Sequence, residues 1–186
     1  MKNQKSTALR KISVSAMLMA LSVVIGILCK NFLTWGVYYR VTFENFPVIL
    51  AGFCFGPLYG AAAAVGADVI SCLCSTNPMV NPVITCGAAA VGFLSGFVPY
   101  LFLKTGSSAK PGAVLAVTVA SAHLIGQVLI KSIGKMWMFG MPWYGIFVGL
   151  GISAAVGCAE FFFIRSLLKN PEISKSMEGL SGRKLY

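Results

Sequence analysis

The chain has 186 residues, of which 57% are hydrophobic and 11% charged, with a mean hydropathy of +0.81. That lies far from the roughly half-apolar, quarter-charged usage of soluble domains, so a soluble enzyme or binding domain is excluded and the chain reads as a single-domain, all-α polytopic membrane protein with room for about six spans. The net charge of +10 would suggest nucleic acid in a soluble protein, but no basic patch with interleaved aromatics supports that partner, and the charge is read instead as topology.

Lys2, Lys5, Arg10 and Lys11 precede an apolar run over residues 12–29. The run is too long for a signal peptide's core, and Leu28 stands where a lipoprotein signal ending at Cys29 needs a small residue. It is taken as a retained first transmembrane helix. A polar, aromatic loop follows, with a short apolar helix over 46–55 that Gly56-Pro57 interrupts. Ten helical residues rise only about 15 Å, half of a bilayer's hydrocarbon core. A third helix is expected over 57–74, with Pro57 suited to its first turn. The stretch "STNPMVNP" is a turn, a fourth helix runs over 81–103, and "KTGSSAKPG" is a loop. The fifth helix covers 113–131 and the sixth 146–168, separated by the aromatic, basic junction "KSIGKMWMFGMPWYG". The tail over 169–186 is expected to be polar and solvated.

With six spans, eleven of the fifteen lysines and arginines fall on the side of the two termini. Lys30, Arg40, Lys131 and Lys135 fall on the other. The positive-inside rule therefore predicts cytoplasmic termini in a multi-pass cell-membrane protein. The outward connections then hold all three tryptophans. Arg40, Lys131 and Lys135 beside Trp35, Tyr38, Tyr39, Phe43, Trp137, Trp143 and Tyr144 suit a flat, anionic ligand, because rings stack a heterocycle while cations neutralise carboxylates. The same residues also suit an ordinary interfacial belt with snorkelling cations. The six cysteines, set almost entirely in apolar runs without metal-ligand pairing to His123, read as small buried hydrophobes. No metal site is expected.

The run "YYRVTFENFPVILAGFCFGPLYGAAAAVGADVI", with "NPVITCGAAAVGFLSG" and "HLIGQVLIKS" further on, resembles the substrate-binding S-components of energy-coupling-factor (ECF) vitamin transporters, and most of all their folate-specific branch. The resemblance covers about residues 12–168. It implies high-affinity capture of folate from outside, with riboflavin, thiamine, pantothenate or another vitamin as the alternative cargo. It also implies a transmembrane coupling subunit and two cytoplasmic ATPase subunits as partners, so that ATP is hydrolysed by partner chains and this chain carries no cofactor. "RVTFEN" would be part of a lid in an extended outer loop, and "FPVILAGFCF" a helix that need not span alone. The alternation from Arg40 to Asn45 also reads as a brief extended stretch. Ala16 and Ala20 match the family's small-residue docking motif on the first helix. Small residues four apart also allow ordinary close packing of helices.

Single polar residues within the spans complete the candidate site. A carboxylate at Asp68 can accept from the 2-amino and N3–H edge of a pterin, or pair with a neighbouring polar side chain. His123, Gln127 and Lys131 recur at four-residue spacing along one helix face, lining a pocket or bonding between helices. Asn81 suits either a helix cap or a ligand contact. Arg40 and Lys131 are expected to meet the ligand's carboxylates and Trp143 or Tyr144 to stack its ring, with Phe43 nearby. Glu160 has no expected role beyond pairing or snorkelling.

Rival functions find less support. "GFLSG" with His123 is similar to the serine and histidine of intramembrane serine proteases, but Phe93 replaces the glycine expected two residues before Ser95. There is no G-x-x-x-x-G-K-[ST] loop to hold ATP phosphates, so the chain is not a self-sufficient pump. A small channel lined by glycine-rich helices is the remaining alternative. The expectation is a protein that makes and breaks no covalent bond.

Overall fold

The computed structural model describes residues 2–35, 39–74, 81–106 and 109–181. Helix α1 (Lys2–Phe32) leads into two short extended segments, β1 (Thr34–Trp35) and β2 (Tyr39–Arg40), which pair antiparallel with Thr34 opposite Arg40. Then come α2 (Asn45–Phe55), α3 (Pro57–Leu73), α4 (Pro82–Lys104), α5 (Pro111–Phe139), α6 (Gly145–Lys169) and α7 (Pro171–Ser181). Four helices, α1 from Thr7 together with α4, α5 and α6, are long and apolar enough to cross a bilayer, whereas α2 and α3 are apolar but shorter.

The short α2 is the centre of the molecule. Every residue in it except Phe46 is buried, so it has no lipid-facing side and needs no full span. Its apolar residues Ile49, Leu50, Phe53, Cys54 and Phe55 pack with Val91 of α4, Leu115 and Val119 of α5, and Ile164 and Leu168 of α6. Gly56, at φ 107°, turns the chain sharply between α2 and α3, a conformation open to glycine alone without strain, and Pro57 then starts α3. The backbones of α3 and α4 touch where Gly60 meets Gly92. A Cβ on either glycine would run into the other's carbonyl oxygen.

Four expectations are revised. Helix α1 starts at Lys2 rather than residue 12, so its 31 residues extend about 46 Å and carry the basic start beyond the hydrocarbon core. Helix α5 continues past residue 131 to Phe139, and over Ala122–Ile130 its backbone widens into π-helical bonding, with the Lys131 amide donating to the Gly126 carbonyl five residues back. The tail is not merely solvated. Residues Pro171–Ser181 form α7, whose Met177 and Leu180 pack against the central cluster. The extended pairing ends at Arg40, the first residue of the predicted alternation, residues 41–44 form no strand, and Asn45 is already helical.

Candidate ligand-binding site

At the start of α2 a cleft opens between five helices. Its polar wall is Ser22 of α1, Glu44 and Asn45 at the head of α2, Asp68 of α3 and Lys131 of α5. Val48, Ala64, Ala67 and Ala88 supply the apolar remainder, and the cavity they enclose is about 20 Å³, room for roughly one water molecule in this closed state. The alanines keep the wall low, on helices otherwise packed through their small faces.

Each polar group is held by its neighbours. Ser22 donates its hydroxyl proton to the Glu44 carbonyl oxygen, tying the head of α2 to α1. The Lys131 ammonium lies 3.8 Å from Glu44 Oε1 and is only 6% exposed. Two glycines make space for this pair: a Cβ at Gly26 would sit 2.8 Å from Glu44 Oε2, and one at Gly87 would sit 2.6 Å from Lys131 Cγ. Thr85 donates to Asp68 Oδ2 at 2.7 Å and so fixes the carboxylate's orientation. Lys30 donates to the Ser71 hydroxyl and carbonyl oxygens at 2.7 and 2.9 Å. The cleft thus presents acceptors at Asp68, an amide at Asn45 and an internally matched pair of charges.

Of the predicted site residues, Asp68 and Lys131 come together here. Phe43 is half-buried next to Glu44 but does not line the cleft. The backbone of Arg40 pairs with Thr34, and its side chain lies outside the described residues, as do the side chains of Trp35, Tyr38 and Tyr39. Asn81 caps α4 by accepting from the Val83 amide at 2.9 Å, and its own amide reaches the Gly134 carbonyl at 3.3 Å, so it fastens α4 to α5. Trp143 and Tyr144 are 70% and 60% exposed and meet each other edge-on, with Phe147 beyond, away from the cleft. Gln127 is half-buried, outside the cleft lining.

His123 is engaged elsewhere. Its Nε2 lies 2.7 Å from Glu160 Oε2 and its Nδ1 lies 3.1 Å from the Ser153 hydroxyl. This gives Glu160, 1% exposed, the partner that the sequence left unassigned. Ser95 is fully buried and donates to the Gly92 carbonyl at 2.6 Å, bracing α4 within its own turn. Among the described residues no three His, Cys, Asp or Glu side chains gather as metal ligands. Sequence reasoning passed over Ser22, Glu44 and Asn45 as cleft residues. The available signal was the polar pair Glu44-Asn45 at the head of a helix with no other polar side chain.

Residues 10–172 match a family model described as "ECF transporter, substrate-specific component". The chain belongs to that family. It is therefore a membrane transporter subunit and not an enzyme, and the energy for transport comes from partner ATPases. No curated protein sequence matches it. Among solved structures, a crystal structure of FolT bound with folic acid matches with a TM-score of 0.61 at 16% identity, covering 80% of this chain and 88% of that one. At that identity the likeness establishes the shared helical fold.

Proposed function

We propose that this S-component captures folate or a close pterin relative from the outer side of the membrane. The observation that carries the reading is Asp68, a carboxylate inside the bundle, oriented by Thr85 toward a cleft with Asn45 and Lys131. A carboxylate so held accepts two parallel hydrogen bonds from the amino and ring N–H groups of a pterin. The FolT-like fold supports the assignment. The eleven-to-four distribution of cations supports cytoplasmic termini, which leave Lys131 on the outer half of α5. Ala16 and Ala20 are both exposed on α1, as a face that docks to the coupling subunit requires.

The test is the small molecule that copurifies with the detergent-solubilised protein, identified by mass spectrometry and confirmed by titration. Folate or a pterin is expected; tight binding of riboflavin or thiamine with none of folate rejects the assignment while keeping the transporter class. For topology, a cysteine at Tyr144 in a background without competing native thiols should react with an impermeant thiol reagent in intact cells, and one at Thr105 should not. The reverse pattern moves the cleft's opening to the cytoplasm. Bulky residues at Ala16 and Ala20 together should abolish uptake and leave ligand affinity intact. Normal uptake by that variant removes the docking role.

A further inference from the structure

Asn45 is 5% exposed, lines the cleft, and its side-chain Nδ2 has no hydrogen-bond partner. A buried amide donor without an acceptor costs on the order of a whole hydrogen bond, so its place in a binding cleft points to an acceptor that arrives with the ligand. Across the same cleft Lys131 is already matched by Glu44 at 3.8 Å, in a space that two glycines keep open for the pair. Adding a ligand carboxylate there would bring a second anion against Glu44, with Asp68 also in the cleft wall. The described wall thus carries two carboxylates against one ammonium, which favours a neutral group over a further anion.

On the reading that the ligand is a folate, we infer that the cleft widens from its present 20 Å³ to take the uncharged pterin head, with Asn45 donating to its ring carbonyl oxygen. Lys131 stays with Glu44, and the anionic glutamate tail lies outside the cleft. Asn45 and Asp68 then form a complementary donor and acceptor pair that reads the amino-oxo edge of the ring. This makes Asn45 a specificity-determining residue, and it removes Lys131 from the role of tail clamp.

The experiment uses the full chain in nanodiscs and three probes: folate, a pterin lacking the glutamate tail, and the 4-amino analogue of folate, in which the carbonyl acceptor becomes a donor. In the unmodified protein the tail-less pterin should bind within about tenfold of folate, because the cleft contacts are retained. Its failure to bind while folate binds overturns the inference and leaves the folate assignment standing. Binding of none of the three overturns both. Next, the preference for folate over its 4-amino analogue is compared between the unmodified protein and Asn45→Asp, which keeps the size and exchanges donor for acceptor. That preference should fall by about tenfold to a hundredfold. Asn45→Ser, which adds no charge, should reduce it in the same direction. A preference unchanged in either folded variant shows that Asn45 does not read the carbonyl.

Discussion

The two flanks of α2 are built differently. On one side α3 and α4 press against α2 and each other through glycine: a Cβ at Gly52 would strike Ser95, and Gly60 and Gly92 meet backbone to backbone. On the other side, Gly149 and Gly151 of α6 have open space where a Cβ would go, and a largely apolar groove between α5 and α6 runs past Ala120, Leu124, Ala154 and Gly157 with His123 and Ser153 in its floor. Only 17% of the spanning window of α6 is buried within the protein. The first flank is fixed by shape and admits no added atom. The second is held where Leu115, Val119, Ile164 and Leu168 enter the central cluster and by a polar clasp, His123 to Glu160, while most of α6 faces outward. The cleft sits over the rigid flank and borrows one residue, Lys131, from the compliant one.

The sharpest way to break this comparison is to add the same atoms to each side. Gly92→Val should abolish recovery of monodisperse protein, since neither backbone can retreat from a carbonyl at contact. Gly149→Val should elute and melt as the unmodified protein does. Similar behaviour of the two variants, judged by size-exclusion profile and thermal midpoint, would end the distinction between the flanks.

A smaller effect tests the clasp. His123→Ala removes the hydrogen bond to Glu160 Oε2 in the buried interior, which costs about 1–3 kcal/mol of stability. Thermal unfolding in detergent should show it, with ligand affinity nearly unchanged because neither residue lines the cleft. Loss of affinity without loss of stability would make the clasp part of the binding site instead.

Next in size, Lys131→Met removes the ammonium beside Glu44 and should weaken folate and tail-less pterin alike, by about tenfold to a hundredfold. A loss confined to folate would assign Lys131 to the glutamate tail. Smallest of all, Trp143→Ala should change affinity by no more than about twofold, as for an exposed side chain outside the site. A large loss in a titration would bring the aromatic junction back into the pocket.

Periodicity and punctuation carry much of this architecture. Gly56-Pro57 marks the α2–α3 break, the length of α2 shows that it cannot span, and Asp68 and Lys131 stand out as ionisable groups that a membrane tolerates only with a reason. What linear spacing does not encode is pairing between helices. His123 and Lys131 share one four-residue series with Gln127, yet one turns to α6 and the other to the cleft, since eight positions at about 100° each already set them about 80° apart. Asn45 passed as a loop residue beside the more conspicuous Arg40. The tail's polarity hid α7, whose contribution rests on Met177 and Leu180, three residues apart and so on one face.

The widened stretch of α5 has a genetic consequence. A turn that closes on the fifth residue back holds one residue more than an α-turn of the same direction. Loss of a single codon within 122–130 would let that stretch tighten into ordinary α-helix while Lys131 keeps its bearing. The same loss anywhere in the regular turns of 111–121 would swing everything after it by about 100°. That rotation would carry the lysine out of the cleft. The segment is therefore a built-in slack, the place in this helix where the reading frame of the fold tolerates a change in length.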